Sequence, residues 1–316
     1  MLLGAIVAVF SAMSFSLSDV MVRRGVAKAP VAYGAFVTVL LGVPLFFLAC
    51  VFTGQIFKVA DIPASSYGLL AAAGVVHYVL GRYFNYSALQ AIGAARAGPI
   101  QALNLPYSVI LAFLFLGEDI TLGMAGGIVL ILVGPAIMVE RRRKPTVVRA
   151  FSAEDSPAAA PAREDGFQLR QAEGYVFAII AAVGYGTSPV LIRAALEGES
   201  GVSLLGGFIS YVAAGGLLLA SLLLPQRRHL VQALQPATVR LFFPPGFFVF
   251  LAQLFRFVAL SLATVAVVAT LLRFAGIFTL VLSWFMNRDL EKITWQVVVG
   301  VLLSVAGAIL LVLSSN

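Results

Sequence analysis

Charge, histidine and cysteine are all scarce in this chain of 316 residues. Its one cysteine, Cys50, excludes an intrachain disulfide. With only two histidines, His77 and His229, no Cys/His metal framework can be assembled, and neither a metal nor another cofactor is expected. Only 11 % of residues are charged, against about 25 % in a soluble domain, while 61 % are hydrophobic and the mean hydropathy is +1.01. Apolar side chains in that excess cannot all be hidden in one core, so most of the surface must face lipid. Aromatic residues are mostly phenylalanine, with two tryptophans against 24 Phe, which suits a lipid-facing helical bundle. No Gly-rich loop closing on Gly-Lys-Ser/Thr is present, so ATP is not hydrolysed by this chain. The first apolar run lacks a basic flank and is too long for a signal-peptide core, so no cleavable leader is expected.

What is there begins with a net charge of +7. Such a balance would suit a nucleic-acid partner, but the basic residues sit in short gaps between apolar runs, so none is expected. A spanning helix needs about 20 mostly apolar residues. By that measure the chain is read as all-α and transmembrane, with ten spans at 2–22, 31–53, 67–89, 93–116, 121–139, 174–195, 202–224, 241–262, 264–286 and 294–313. The runs are too long and too uniform for the strands of a barrel. Pro99, Pro106, Pro189, Pro244 and Pro245 fall inside spans, which membrane helices tolerate. Residues 141–172 differ in composition. Arg141-Arg142-Arg143-Lys144 is followed by a polar, Ala/Pro-rich stretch, read as a flexible linker between two five-span halves, 1–140 and 173–316. Basic residues crowd alternate loops: Arg23, Arg24 and Lys28; Arg96; the linker; Arg227, Arg228 and Arg240; Arg288 and Lys292. Only Lys58 and Arg193 fall on the opposite side. The positive-inside rule therefore places the linker in the cytoplasm and both termini outside, in an inner membrane.

The halves repeat each other. Glu118, Thr121, Gly127 and Gly134 recur as Glu291, Thr294, Gly300 and Gly307, each offset by 173 residues without a gap, and Ala88-Leu89 pairs with Ser261-Leu262 at the same offset. An offset of 170 pairs Ser18, Val20 and Arg23 with Ser188, Val190 and Arg193. Five spans is an odd number, so the second copy must sit inverted, and the loop charges agree independently. Inverted repeats are a transporter signature, with the substrate site near the midplane between them. Glu-x-x-Thr also reads as a local helix cap at the start of the fifth and tenth spans.

Through these residues the chain resembles the EamA-type permeases of the drug/metabolite transporter superfamily. The most family-like stretch runs from Tyr86-Ser87-Ala88-Leu89 through Pro99 to Leu116-Gly117-Glu118, Thr121, Gly127 and Gly134, with a weaker copy from Ala259-Leu260 to Gly307. The second copy departs from the pattern where Asn287-Arg288-Asp289-Leu290 stands in place of Leu-Gly before Glu291. The resemblance implies ten helices as two inverted five-helix repeats, with helices 1–4 and 6–9 around a central cavity and helices 5 and 10 peripheral. Its motifs are shared by members with very different substrates.

Ionisable side chains at mid-bilayer depth cost about 2.5–3.5 kcal/mol on insertion scales and are functional candidates by default. The polar and ionisable residues at that depth are His77, Arg82 and Asn85 on the third span, Gln101, Asn104 and Ser108 on the fourth, Tyr185 and Ser188 on the sixth, Gln253 and Arg256 on the eighth, and Arg273 on the ninth beside Thr270 and Trp284. Structural roles compete with each. Arg82 and Arg256 would snorkel to an interface or bond helix-end carbonyls, Arg273 would sit in an ion pair, His77 would bond between helices, and the Gln101/Asn104 stripe would be interhelical glue. Asp19 is read as a helix-surface partner of Arg23 at i,i+4. Three arginines then face no acidic partner of comparable depth, and a guanidinium offers a planar fork for carboxylate or phosphate. The sites expected to bind substrate are therefore His77, Arg82, Asn85, Gln101, Asn104, Tyr185, Ser188, Gln253, Arg256 and Arg273, in a cavity accepting an anionic or zwitterionic metabolite. The expected activity is secondary transport, in the export direction, with proton coupling through His77, exchange and facilitated diffusion all open. The expected partners are the small-molecule substrate and the lipid bilayer, with a homodimer left open. An intramembrane lipid-handling protein or enzyme is the alternative, but no paired carboxylates, His–Asp or Ser–Lys pair stand out for catalysis. A channel would want rings of like residues, which duplicated, asymmetric halves do not offer.

Overall fold

The computed structural model describes residues 2–116, 121–138, 165–196, 201–262, 268 and 271–314. Every regular element among them is a helix: α1 (Leu2–Val26), α2 (Val31–Phe52), α3 (Ala64–Ile92), α4 (Ala94–Gln101), α5 (Asn104–Leu116), α6 (Leu122–Met138), α7 (Asp165–Ala195), α8 (Ser203–Ser221), α9 (Pro236–Leu262), α10 (Ala275–Met286) and α11 (Trp295–Leu313), with short 3₁₀ turns at Gln55–Asp61 and Pro225–Leu234. Lipid cannot satisfy a peptide group, so an apolar run has no alternative to internal hydrogen bonding. Among the described residues seven helices are long and apolar enough to cross a membrane, and α6 and α10 are shorter apolar helices. Glu118 and most of the expected linker lie outside the described residues.

The fourth span, expected as one helix over 93–116, is two. Pro106 has no N–H to give the Ala102 carbonyl, so Leu105 N–H bonds it instead (3.1 Å), and Leu103 N–H likewise reaches back only to Ile100 (3.1 Å). The resulting tight turn at Ala102-Leu103 separates α4 from α5. A similar turn at Arg273-Phe274 precedes α10, with Phe274 N–H on Leu271 (3.1 Å) and Gly276 N–H on Arg273 (3.2 Å). Within α3 the segment Val75–Gly81 widens to a π-helix, an irregularity often found at functional sites.

Packing between the copies is reciprocal. The sequence repeat equates α1 with α7, α2 with α8, α3 with α9 and α6 with α11. In space α1 packs on α9 while α7 packs on α3; α5 packs on α7 while α10 packs on α1; α2 meets α8, and α6 meets α11. Exchanging the copies reproduces this set of neighbours. The α6–α11 pair shows it at atomic scale. A Cβ on Gly127 would sit 2.7 Å from the Gly307 carbonyl and one on Gly307 2.7 Å from the Gly127 carbonyl; Gly134 and Gly300 exclude each other in the same way at 2.6 and 2.7 Å. The helices run antiparallel, and each glycine meets the duplicate of the other glycine on its own helix, so backbones approach as closely as small residues permit. Serines add interhelical bonds where α1 crosses α9 and α10: Ser11 donates to the Ala252 carbonyl (2.6 Å), Ser18 to that of Pro245 (2.9 Å) and Ser16 to that of Ala275 (2.7 Å).

The second Glu-x-x-Thr segment is not a simple local cap. Thr121 does cap α6, accepting from Met124 N–H at 3.2 Å. Thr294 makes no side-chain cap on α11, and Glu291 is turned to the other copy, as described below. Overpacking a tight helix contact costs about 1–3 kcal/mol. Gly127→Val and Gly307→Val are therefore expected to lower the thermal midpoint in detergent, whereas Gly216→Ala, in open space on α8, leaves it unchanged or raises it.

Candidate functional site

A cavity of about 290 Å³ lies between the copies, built by α1, α3, α4, α5, α7, α9, α10 and α11 around the two helix breaks. That volume is at the lower end of ligand pockets, suited to a small solute. Nine expected residues line it: His77, Arg82, Asn85, Gln101, Asn104, Tyr185, Gln253, Arg256 and Arg273. The tenth, Ser188, stands one bond behind the wall on His77. Both breaks contribute directly, Gln101, Ala102 and Asn104 from the first and Leu272, Arg273 and Ala275 from the second. A helix broken at membrane depth is tolerated where it borders such a cavity.

Each polar wall has its own support. Arg82 does not snorkel. It is 2 % exposed, donates from Nη2 to the Tyr211 hydroxyl (2.8 Å), and lies over the Tyr78 and Tyr211 rings with its Cζ 5.1 and 5.4 Å from their centroids. The two rings are stacked at 3.8 Å, making a rigid aromatic seat. Among the described residues Arg82 Nη1 has no hydrogen-bond partner, nor has Arg256 Nε, whose guanidinium carbon sits 5.3 Å from the Phe257 ring centre. Both atoms are buried, and a buried unpaired donor is costly unless a ligand or water completes it. The acceptors Asn104 Oδ1 and Gln253 Oε1 and the Ser304 hydroxyl are likewise unmatched on the wall.

His77 bridges the copies: its Nδ1 is 2.6 Å from Ser188 Oγ on α7 and its Nε2 faces Gln253 Nε2 on α9 at 3.5 Å. Each ring nitrogen thus faces a polar group of the second copy, and the tautomer decides which of the two donates. The imidazole also packs on Tyr185, ring centres 4.6 Å apart.

Asp19 corrects the sequence reading. It lines the cavity, where Asn85 Nδ2 reaches its Oδ1 at 3.4 Å, and Gln101 in turn donates to Asn85 Oδ1. Arg23, the expected partner of Asp19, is turned to Glu291 and to the carbonyls of Gln90 and Leu290. The cavity therefore holds one carboxylate with three guanidiniums, still with a cationic excess. A signal was present: Phe15, Ser18 and Asp19 share one helical face at i, i+3 and i+4, and all three line the cavity. A second correction concerns α11. The resemblance implied a peripheral tenth helix, yet Val301, Ser304, Val305 and Ala308 form part of the wall. The close α6–α11 contact is made by glycines on one face, which leaves the neighbouring face of α11 turned inward. Trp284 is half exposed and does not reach the site, and Thr270 lies outside the described residues. Among the described residues no three of His, Cys, Asp and Glu converge as metal ligands.

Removing the partner of a buried charge-bonded group costs about 1–3 kcal/mol. Tyr211→Phe, which takes the acceptor from Arg82 while keeping the ring, is expected to lower the thermal midpoint in detergent, and Tyr33→Phe, whose hydroxyl bonds Gln232 at the surface, to leave it in place.

The model of the EamA-like transporter family matches the chain at residues 2–139 and 172–313, once for each copy. No curated protein matches it. A solved structure, titled only as the crystal structure of a protein, is similar with a TM-score of 0.56 at 17 % identity, covering 99 % of this chain and 97 % of that one. At that identity the likeness concerns the fold.

Proposed function

We propose that this chain, which belongs to the EamA-like transporter family, is a secondary carrier that exports a small anionic or zwitterionic metabolite across the inner membrane. Membership makes it a multi-pass membrane transporter. The finer reading of the site rests on one observation: Arg82 and Arg256 border a cavity between the copies with buried N–H donors that no group among the described residues accepts. A carboxylate or phosphate oxygen is the chemistry those donors lack. Arg273 adds a third guanidinium at the break before α10, and Asp19 with Asn85 offers a complementary place for a protonated or donor group on a zwitterion.

Alternating access follows from the reciprocal packing. Two copies related by exchange can lean one way or the other about a fixed midplane site at similar cost, each lean exposing the site to one face. The proposed frame is ten membrane-crossing helices in two inverted five-helix repeats, with α4 and α5 as the broken fourth crossing and α10 as the last part of the broken ninth. Basic residues at one end place that end and the joining linker in the cytoplasm.

Identifying the cargo comes first: metabolites of cells and medium are profiled with and without the gene, and candidates are tested by counterflow in proteoliposomes. For the solute that moves, Arg82→Gln and Arg256→Gln are each expected to lower counterflow by roughly ten- to a hundredfold, the range of one charged hydrogen bond. Full counterflow in both variants overturns the arginine-centred site.

A further inference from the structure

The cavity stops short of one end of the bundle, and there the copies are locked together by a carboxylate. Glu291, 7 % exposed, belongs to the second copy but caps a helix of the first. Its Oε1 accepts from Ala94 N–H (2.9 Å) and its Oε2 from Ala95 N–H (3.1 Å), at the start of α4. Two of the N–H groups left over at a helix start are thereby satisfied, and the negative charge faces the positive end of the helix dipole. Asn287 Nδ2 donates to the same carboxylate (3.3 Å) and to the Val20 carbonyl of α1 (3.1 Å). Arg23 stands with its Nε 4.0 Å from Glu291, while Nη1 and Nη2 donate to the carbonyls of Gln90 (2.7 Å) and Leu290 (3.2 Å). Gln90 closes the ring by donating to the Val26 carbonyl at 2.7 Å.

The backbone is shaped around this carboxylate. Gly93, between α3 and α4, has φ +82°, and a Cβ there would lie 2.5 Å from the Glu291 carboxyl carbon. Only glycine combines that dihedral with that approach. Val20, Val26, Leu89 and Ile92 are buried beside the lock, and none of them borders the cavity. At its other end α4 carries Gln101, which donates to Asn85 on the cavity wall. One short helix thus joins the lock to the site.

We propose that Glu291 is a positioning residue and a gate: it holds α4 so that Gln101 faces the cavity, and it seals the end of the pathway where Arg23 and Asp289 lie. This rests on the transport reading. Opening that end requires the carboxylate to leave the α4 N-terminus, and the Asn287 and Arg23 bonds decide how readily it does so.

The test needs no known cargo. Cys50→Ser removes the native thiol and Ala102→Cys places one on the cavity wall at the helix break. Labelling by a membrane-impermeant maleimide is then timed in right-side-out and inverted vesicles. Glu291→Gln is expected to speed labelling from the Arg23/Asp289 face by about tenfold, the shift that losing one buried charge-assisted bond gives a two-state equilibrium, and to leave the other face unchanged. Gly93→Ala, which displaces the carboxylate, is expected to do the same and serves if Glu291→Gln does not accumulate. Labelling that is unchanged in these variants, or that rises equally from both faces with a lower thermal midpoint, overturns the gate and leaves Glu291 a purely structural cap. If the one-sided rise is seen while no solute moves in counterflow, the gate stands and the transport reading falls.

Discussion

A guanidinium buried in a lipid-facing bundle sets the terms for everything around it. It cannot lose its charge, and leaving its donors without partners costs more than most single contacts provide. Arg82 is housed by a hydroxyl and two stacked tyrosine rings, Arg256 by a phenylalanine face, and neither arrangement uses all the donors. Asp19, Asn85 and Gln101 add a carboxyl group and a relay of amides to the same cavity. The donors left over are ones that a ligand or water completes, and in the proposed carrier that place falls to the substrate.

Holding such a site between two halves that must move requires contacts that are close without being charged. Gly127, Gly134, Gly300 and Gly307 let α6 and α11 touch backbone to backbone, and serines on α1 tie it to α9 and α10 through single bonds. Van der Waals packing of this kind is the main attraction between helices where lipid is as apolar as the side chains. Away from the cavity, a carboxylate and a guanidinium also join the copies. The Glu291 cap, with Arg23 and Asn287, joins the copies by bonds that a small displacement breaks, and α4 carries that displacement to the cavity wall.

Much of this was legible in the sequence. Span length, the 173-residue offset and the side bias of Lys and Arg point to a duplicated helical membrane protein, and helical spacing of polar residues picks out nine side chains that the fold gathers around one cavity. What escaped did so because spacing is blind to partners in the other copy. Asp19 and Arg23 are four apart, yet Arg23 is claimed by Glu291, 268 positions along the chain. Glu291 looks like a cap for the helix that follows it and instead caps one that begins at Ala94. The break at Ala102-Leu103 was hidden inside an apolar run, although Pro106 removes the hydrogen that would have closed that turn. The inward place of Val301, Val305 and Ala308 follows from which face of α11 the glycines occupy, a fact of packing rather than of hydropathy.

The central claim is that buried arginines select the cargo by its anionic group. The most direct measurement is counterflow of the metabolite identified by profiling, compared with an analogue of equal size in which that group is replaced by a neutral amide. The neutral analogue is expected to be neither exchanged nor able to compete. Exchange of the analogue at the rate of the native metabolite would contradict it.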